Sequence, residues 1–219
     1  MSAKDCAHHH RERRKLYHRL FLILSSSIIL ILFLVFLIWL ILRPTKPRFI
    51  LQDATVYNFN AAAAAGGAAT GLNLLTTNIQ VTLASRNPNE RIGIYYDRLD
   101  VYATYRGQQI TLPTLLPVSY QGHKDVTIWS PFLNGNAVPV APYLGVEISQ
   151  DQNAGRVLIN IRVDGRIRWK VGTFISGRYR LDANCPAYLS FGGENYSPNS
   201  ILVGSTAKYQ LVQNCHVDV

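Results

Sequence analysis

Histidine and cysteine are the side chains through which proteins most often do acid–base, nucleophilic or metal chemistry near neutral pH, and this chain has six and three in 219 residues. His8, His9 and His10 are consecutive imidazoles in a tail read as disordered, where they have no defined coordination geometry. His123 and His216 are the two that follow residue 43, and His123, within Tyr120-Gln121-Gly122-His123-Lys124, reads as a turn residue rather than a catalyst. The sequence contains no G-x-S-x-G, H-E-x-x-H or phosphate-loop pattern, and Phe191-Gly192-Gly193 does not sit between a strand and a helix. No catalytic residue, cofactor or metal is therefore assigned, and an enzyme is not expected.

Cys185 and Cys215 carry the remaining chemistry. In an oxidising compartment they would pair, closing a loop of about 31 residues and stabilising by roughly 3–4 kcal/mol on the chain-entropy estimate; the alternative is two free buried thiols. Cys6 stands apart from them near the N-terminus, as a reduced thiol or a candidate for S-acylation. Asn195-Tyr196-Ser197 is a glycosylation sequon whose following Pro198 disfavours its use.

What must position these residues begins with a run of 23 residues, 20–42, free of charge, proline and glycine. As a helix it reaches roughly 34 Å, enough to cross a hydrocarbon core of about 30 Å. A cleaved secretory signal would have a shorter apolar stretch and a small-residue cleavage site. Here Arg43-Pro44-Thr45-Lys46-Pro47-Arg48 follows directly, which favours a retained anchor.

The net charge of +9 divides into +4 on residues 1–19 and +5 on residues 43–219. Six basic residues before the run against three just after it direct the tail to the cytosol and the domain to the opposite side. The tail, with Arg11, Arg13, Arg14 and Lys15, is expected to lie on anionic headgroups, at about 1 kcal/mol per basic side chain, and needs no nucleic acid to explain it.

Beyond the anchor, period-two alternation replaces the apolar run, and helical periodicity is nearly absent. Ile79, Val81 and Leu83 alternate with polar or small residues up to a turn at Asn87-Pro88-Asn89. A second strand carries Ile92, Ile94 and Tyr96, breaks parity in a bulge near Asp97, and resumes at Leu99, Val101, Ala103 and Tyr105 before a turn at Arg106-Gly107. From Val157 to Val171 the parity is unbroken, which favours one long strand over a hairpin at Asp164-Gly165. Arg162, Arg166, Arg168 and Lys170 share its other face, an electrostatic patch or a plainly solvated side. Further runs bring the count to seven to nine strands, which predicts one antiparallel β-sandwich over 43–219 with a flexible Ala/Gly loop at 61–70.

Three segments in order, Asn87 to Asp97, Tyr120 to Lys124 and Arg166 to Gly172, resemble motifs of the plant non-race-specific disease-resistance and harpin-induced-like membrane proteins. The part outside the membrane is similar to the group 2 late-embryogenesis-abundant domain. The resemblance implies a plasma-membrane protein of plant defence with one signal-anchor helix and an immunoglobulin- or fibronectin-like sandwich, and it brings no catalytic residues. On the motif positions we expect Asn87, Pro88 and Asn89 to hold a turn and Asp97 to lie at the bulge. Tyr96 and Trp169 should fill the core, and Gly122 and Gly172 should allow tight backbone. The expected role is a non-enzymatic surface adaptor or membrane–wall tether, whose partners are the lipid bilayer and an unidentified protein or wall component. The alternative is a stress-protective module of late-embryogenesis type.

Overall fold

The computed structural model describes residues 3–41, 43–63, 73–190, 207–209 and 213–219. They fall into two units, Met1–Arg43 and Pro44–Val219.

The first unit is one helix, α1, Ala3–Ile41. Its Tyr17–Phe36 stretch is apolar, exposed and long enough to cross a membrane. Ser25 donates its hydroxyl to the Leu22 carbonyl at 3.0 Å, so the serine run stays helical without a polar partner elsewhere. The tail read as disordered is helical from Ala3. The correction has a physical cause: nucleation is the costly step, and once the apolar segment is helical, the Arg-, Glu- and Lys-rich residues before it extend the helix cheaply.

The second unit contains strands β1 Arg48–Ala63, β2 Asn73–Arg86, β3 Ile92–Tyr105, β4 Gln108–Gln109, β5 Thr114–Leu116, β6 Ser119–Gln121, β7 Val126–Trp129 and β8 Phe132–Val140. After helix α2, Pro142–Asn153, come β9 Arg156–Val171, β10 Phe174–Ile175, β11 Tyr179–Ser190, β12 Ala207–Tyr209, β13 Gln213–Asn214 and β14 His216–Asp218. One antiparallel sheet runs β12-β1-β2-β7, with β13 on β1 and β8 on β2. The other runs β14-β11-β9-β3-β4, with β10 on β9 and both β5 and β6 on β3. The strand number exceeds seven to nine because β4, β5, β6, β10, β12, β13 and β14 are two- or three-residue pieces riding on long neighbours, which leaves seven longer strands among the described residues.

Alternation sets which face is buried. Leu75, Ile79, Val81 and Leu83 of β2 meet Ile94, Tyr96, Leu99 and Val101 of β3 and Ile159, Ile161, Val163 and Trp169 of β9 in one core. The expected bulge is present as a register shift between Tyr96 and Arg98. β9 is unbroken through Asp164-Gly165. A Cβ at Gly165 would run into the Arg98 carbonyl, so this glycine accommodates the bulge across the ladder and makes no turn.

Two expectations are corrected. The loop placed at 61–70 begins later, because Ala61, Ala62 and Ala63 continue β1 and pair with Leu75, Leu74 and Asn73; residues 64–70 lie outside the described residues. Pairing partners decide strand character there, over alanine's low intrinsic preference. The near-absence of helix in the domain is overturned by α2. Its buried contacts are only Leu144, Gly145 and Ile148, about one turn, too few for a periodic pattern, with Pro142 starting the helix.

Cys185 in β11, fully buried, is bonded to Cys215. Cys215 lies between β13, which pairs with β1, and β14, which pairs with β11, and its amide donates to the Phe49 carbonyl at 2.9 Å. The bridge thus fixes the C-terminal segment where it passes from one sheet to the other. With the two cysteines 30 positions apart in sequence, Cys215→Ser should cost roughly 3 kcal/mol. Denaturant melts of the full chain in detergent, with and without reductant, check this; equal midpoints for variant and parent would remove the bridge as a stabilising element.

Candidate functional site

The three motif segments meet at the end of the domain where the chain arrives from α1 in sequence, called the base below. Asn87 and Asn89 flank Pro88, which fixes φ at the turn carrying the chain from β2 in one sheet to β3 in the other. The buried Asn87 amide has four partners. Its Nδ2 donates to the Ile92 and Gly122 carbonyls at 2.7 and 2.8 Å, and its Oδ1 accepts from the Asn89 backbone and side-chain nitrogens at 3.0 and 2.9 Å. Asn89 in turn grips Thr45, accepting from its amide at 2.9 Å and donating to its carbonyl at 2.8 Å.

The second motif closes this turn: the Lys124 amide donates to the Asn89 carbonyl and the Asn87 amide to the Asp125 carbonyl. Inside the core, Tyr96 donates to Gln121 Oε1 at 2.8 Å and shares a 2.7 Å bond with Ser85. Gln121 Nε2 donates to the Ser85 and Asp125 carbonyls. Burial drives the Tyr96 hydroxyl far above the ordinary phenol range, so it stays a neutral donor. Trp169 is also buried, and Gly172 turns with φ of +57°. Gly122 departs from expectation: a Cβ there would meet Asp125 only at 3.8 Å, so what the position contributes is its carbonyl, received by Asn87, and not a tight backbone.

On the outer face, the same segments place Tyr95 of β3 against Tyr120 of β6, ring centroids 4.6 Å apart. The Lys170 ammonium lies 5.1 Å from the Tyr120 centroid and 5.8 Å from that of Tyr95, and the Arg168 guanidinium lies 5.6 Å from Tyr95. Gly93 makes this possible, since a side chain there would occupy the space of the Tyr120 ring. Arg168 forks onto Asp97 with bonds of 2.8 and 2.6 Å, and Arg178 approaches the same carboxylate at 3.4 Å. The Arg168 hydrogen bonds hold the Asp97 carboxyl below its usual range, more strongly than burial raises it.

Chemically, this is a surface of two tyrosines, a lysine and a neutralised arginine, suited to recognition. His123 lies in an exposed turn. Among the described residues no group of three metal-ligating side chains forms. Asn195 and Phe191-Gly192-Gly193 lie outside the described residues. The parity of the motifs already puts Tyr95 on one face of β3, and Arg168 and Lys170 on one face of β9. What parity omits is that β9 pairs with β3 and that β6 brings Tyr120 alongside.

Fold and site together define a class: a β-sandwich carrying a tyrosine–cation cluster on one outer face, preceded by a helix of membrane-spanning length. The family model described as Late embryogenesis abundant protein matches residues 82–185. NDR1/HIN1-like protein 1 of Arabidopsis thaliana is 58% identical over 198 residues, covering 88% of this chain and 90% of that protein. NDR1/HIN1-like protein 12 of the same plant is 52% identical with full coverage of both, and NDR1/HIN1-like protein 26 is 43% identical over 77% of this chain and 76% of its own. The chain belongs to the NDR1/HIN1-like family, and the late-embryogenesis match covers the part of the sandwich from the end of β2 into β11.

Asn87→Ala removes the hub of the turn and should cost roughly 2–3 kcal/mol, because buried carbonyl and amide groups lose partners; a melt unchanged from the parent would contradict that role. Asp97, with its depressed folded value, contributes stability that is present above an unfolded carboxyl value of 3.8 and is lost as pH falls through the folded value. Melting between pH 7 and 2 should show this loss, and Asp97→Asn should lower stability at pH 7 and flatten the acid limb.

Proposed function

We propose that this chain is a non-enzymatic plasma-membrane adaptor of plant defence, anchored by α1 with its N-terminus in the cytosol and its sandwich outside the cell. The observation that carries the reading is the outer-face cluster of Tyr95, Tyr120, Arg168 and Lys170, built from all three family motifs beside a turn whose buried Asn87 and Asn89 are satisfied internally. Aromatic and cationic side chains held rigidly on a sheet lose little entropy on engaging a partner, and Tyr and Arg are enriched where binding energy concentrates. The Arabidopsis relatives support a defence or stress setting by name, and the apolar helix is compatible with a single-pass anchor. The partner on this reading is a protein or an acidic wall component meeting that cluster. A stress-protective module is the second reading, supported by the late-embryogenesis match.

The two differ in what a surface change does. Tyr120→Ala combined with Lys170→Ala should leave expression and melting near those of the parent, while a plant line that lacks its own copy loses complementation of its pathogen response. Full complementation by this variant would remove the adaptor reading and favour the protective one. Proteolysis of a C-terminal epitope on intact protoplasts supplies the topology: loss of the tag without detergent agrees with an outside domain, and protection until detergent overturns it.

A further inference from the structure

The base of the sandwich has a composition that its recognition cluster does not use. Arg48 and Arg86 face each other across the first pair of strands, and Arg91 and Lys124 follow in the two turns tied together by Asn89; all four are exposed. Near these turns Glu90 meets Lys124 at 3.2 Å and Asp125 caps the Val126 amide, while Asp97 is taken by Arg168 and Arg178 and Asp218 by Lys46. Beside them, the hairpin from β9 to β10 turns at Gly172-Thr173 and presents Phe174 and Ile175 to solvent, 68% and 41% exposed. The opposite end differs: its turn residue Arg106 is tied to Glu147 and to Asp151 at 2.6 and 3.5 Å, and Asp151 also accepts from the Tyr105 hydroxyl.

An exposed phenylalanine at a hairpin tip beside basic residues is costly in water and favourable at a headgroup boundary, where aromatic rings bury and cations meet phosphates. Only Arg43 and Pro44 separate Thr45 from the apolar run in sequence, so among the loops of the domain the base has the shortest chain tether to a bilayer. We infer that the base of the β domain is a lipid-contact surface. Phe174 and Ile175 enter the interfacial layer of a phosphate-bearing membrane, while Arg48, Arg86, Arg91 and Lys124 lie at its headgroups. The inference rests on α1 being an anchor but not on the adaptor role, since it uses neither Tyr120 nor Lys170.

The full chain with Cys6→Ser is reconstituted in liposomes of phosphatidylcholine and phosphatidylserine, bearing an environment-sensitive dye on Phe174→Cys or, as the distal comparison, on Gln150→Cys in α2. Flotation first establishes that both are anchored; failure to float overturns the anchor on which the inference rests. The dye at 174 should then emit further to the blue and be several-fold less accessible to acrylamide than the dye at 150. Arg86→Glu with Arg91→Glu should reverse much of that difference while circular dichroism stays unchanged. Equal accessibility at the two positions overturns the inference. So does protection at 174 that scales with protein density, which marks a contact between copies. Protection that appears only on adding soluble polygalacturonate identifies a wall polyanion as the occupant and overturns the lipid assignment.

Discussion

One buried side-chain amide organises the sandwich. Asn87 has two donor hydrogens and two acceptor lone-pair positions, and the structure fills all four with partners from two chain segments, the 89–92 turn and Gly122. Through Ile92 it sets the start of β3, and through Gly122 the turn before β7. Asn89 carries the same register back to Thr45, where β1 approaches. Each bond contributes about 1 kcal/mol net, but a half-filled amide in that position would cost more than the bonds supply, so the turn is cooperative in the strict sense. The Tyr96, Gln121 and Ser85 bonds extend this network into an otherwise apolar core, and they are tolerated there because each group finds a partner.

The outer face of the second sheet poses a different problem. In register, Arg98 lies opposite Arg166 and Arg166 opposite Arg180, while Asp100, Asp164, Asp182 and Asp218 form a neighbouring row across four strands. Like charges directly opposite destabilise a sheet pair. The chain answers along the diagonals and along strands: Arg98 bonds Asp100 at 2.7 Å, Arg162 bonds Asp182 at 3.3 Å, and Lys46 meets Asp218 at 2.9 Å. Tyr102 gives its hydroxyl to Asp164 at 2.7 Å, which pushes the phenol up to about 12. These pairs are largely exposed and individually weak, so they relieve repulsion more than they add stability. The net result is a face on which most charges meet a partner, which distinguishes it from the base, where Lys124 meets Glu90 but Arg48, Arg86 and Arg91 stand exposed.

The legibility of this chain in sequence follows the range of each interaction. Strand parity depends on neighbours two residues apart, so β2, β3 with its bulge, and β9 could be read directly. The Asn87-Pro88-Asn89 turn was equally readable, because proline and asparagine act on their own backbone. Its destination was not: nothing local says that the turn leaves one sheet for the other, or that Asn89 will find Thr45, 44 residues away. α2 was hidden because Leu144 and Ile148 bury a single turn, whereas Ala61 to Ala63 looked like loop because their strand character comes from β2. The outer-face cluster was half visible. Its residues could be assigned to faces, and the motif resemblance brought the segments together, but the pairing of β3 with β6 and β9 is a long-range outcome that no period encodes.

The same physics weighs the two readings of the family. A chain that protects by hydration keeps its backbone and polar groups available to water, and it pays no ordering entropy because it orders little. This domain does the reverse. Its core includes Phe49, Tyr96 and Trp129 in mutual ring contact, with Phe49 to Tyr96 at 6.3 Å and Tyr96 to Trp129 at 5.4 Å, and its most distinctive polar groups are spent on one another. Having met the entropy of folding, it holds Tyr95 and Tyr120 in one geometry and fixes Arg168 through Asp97. Rigid placement of that kind has no value for nonspecific hydration, where any exposed polar residue serves. It has value where a partner must be met by particular groups at particular separations, and that asymmetry is what favours recognition over protection for this sandwich.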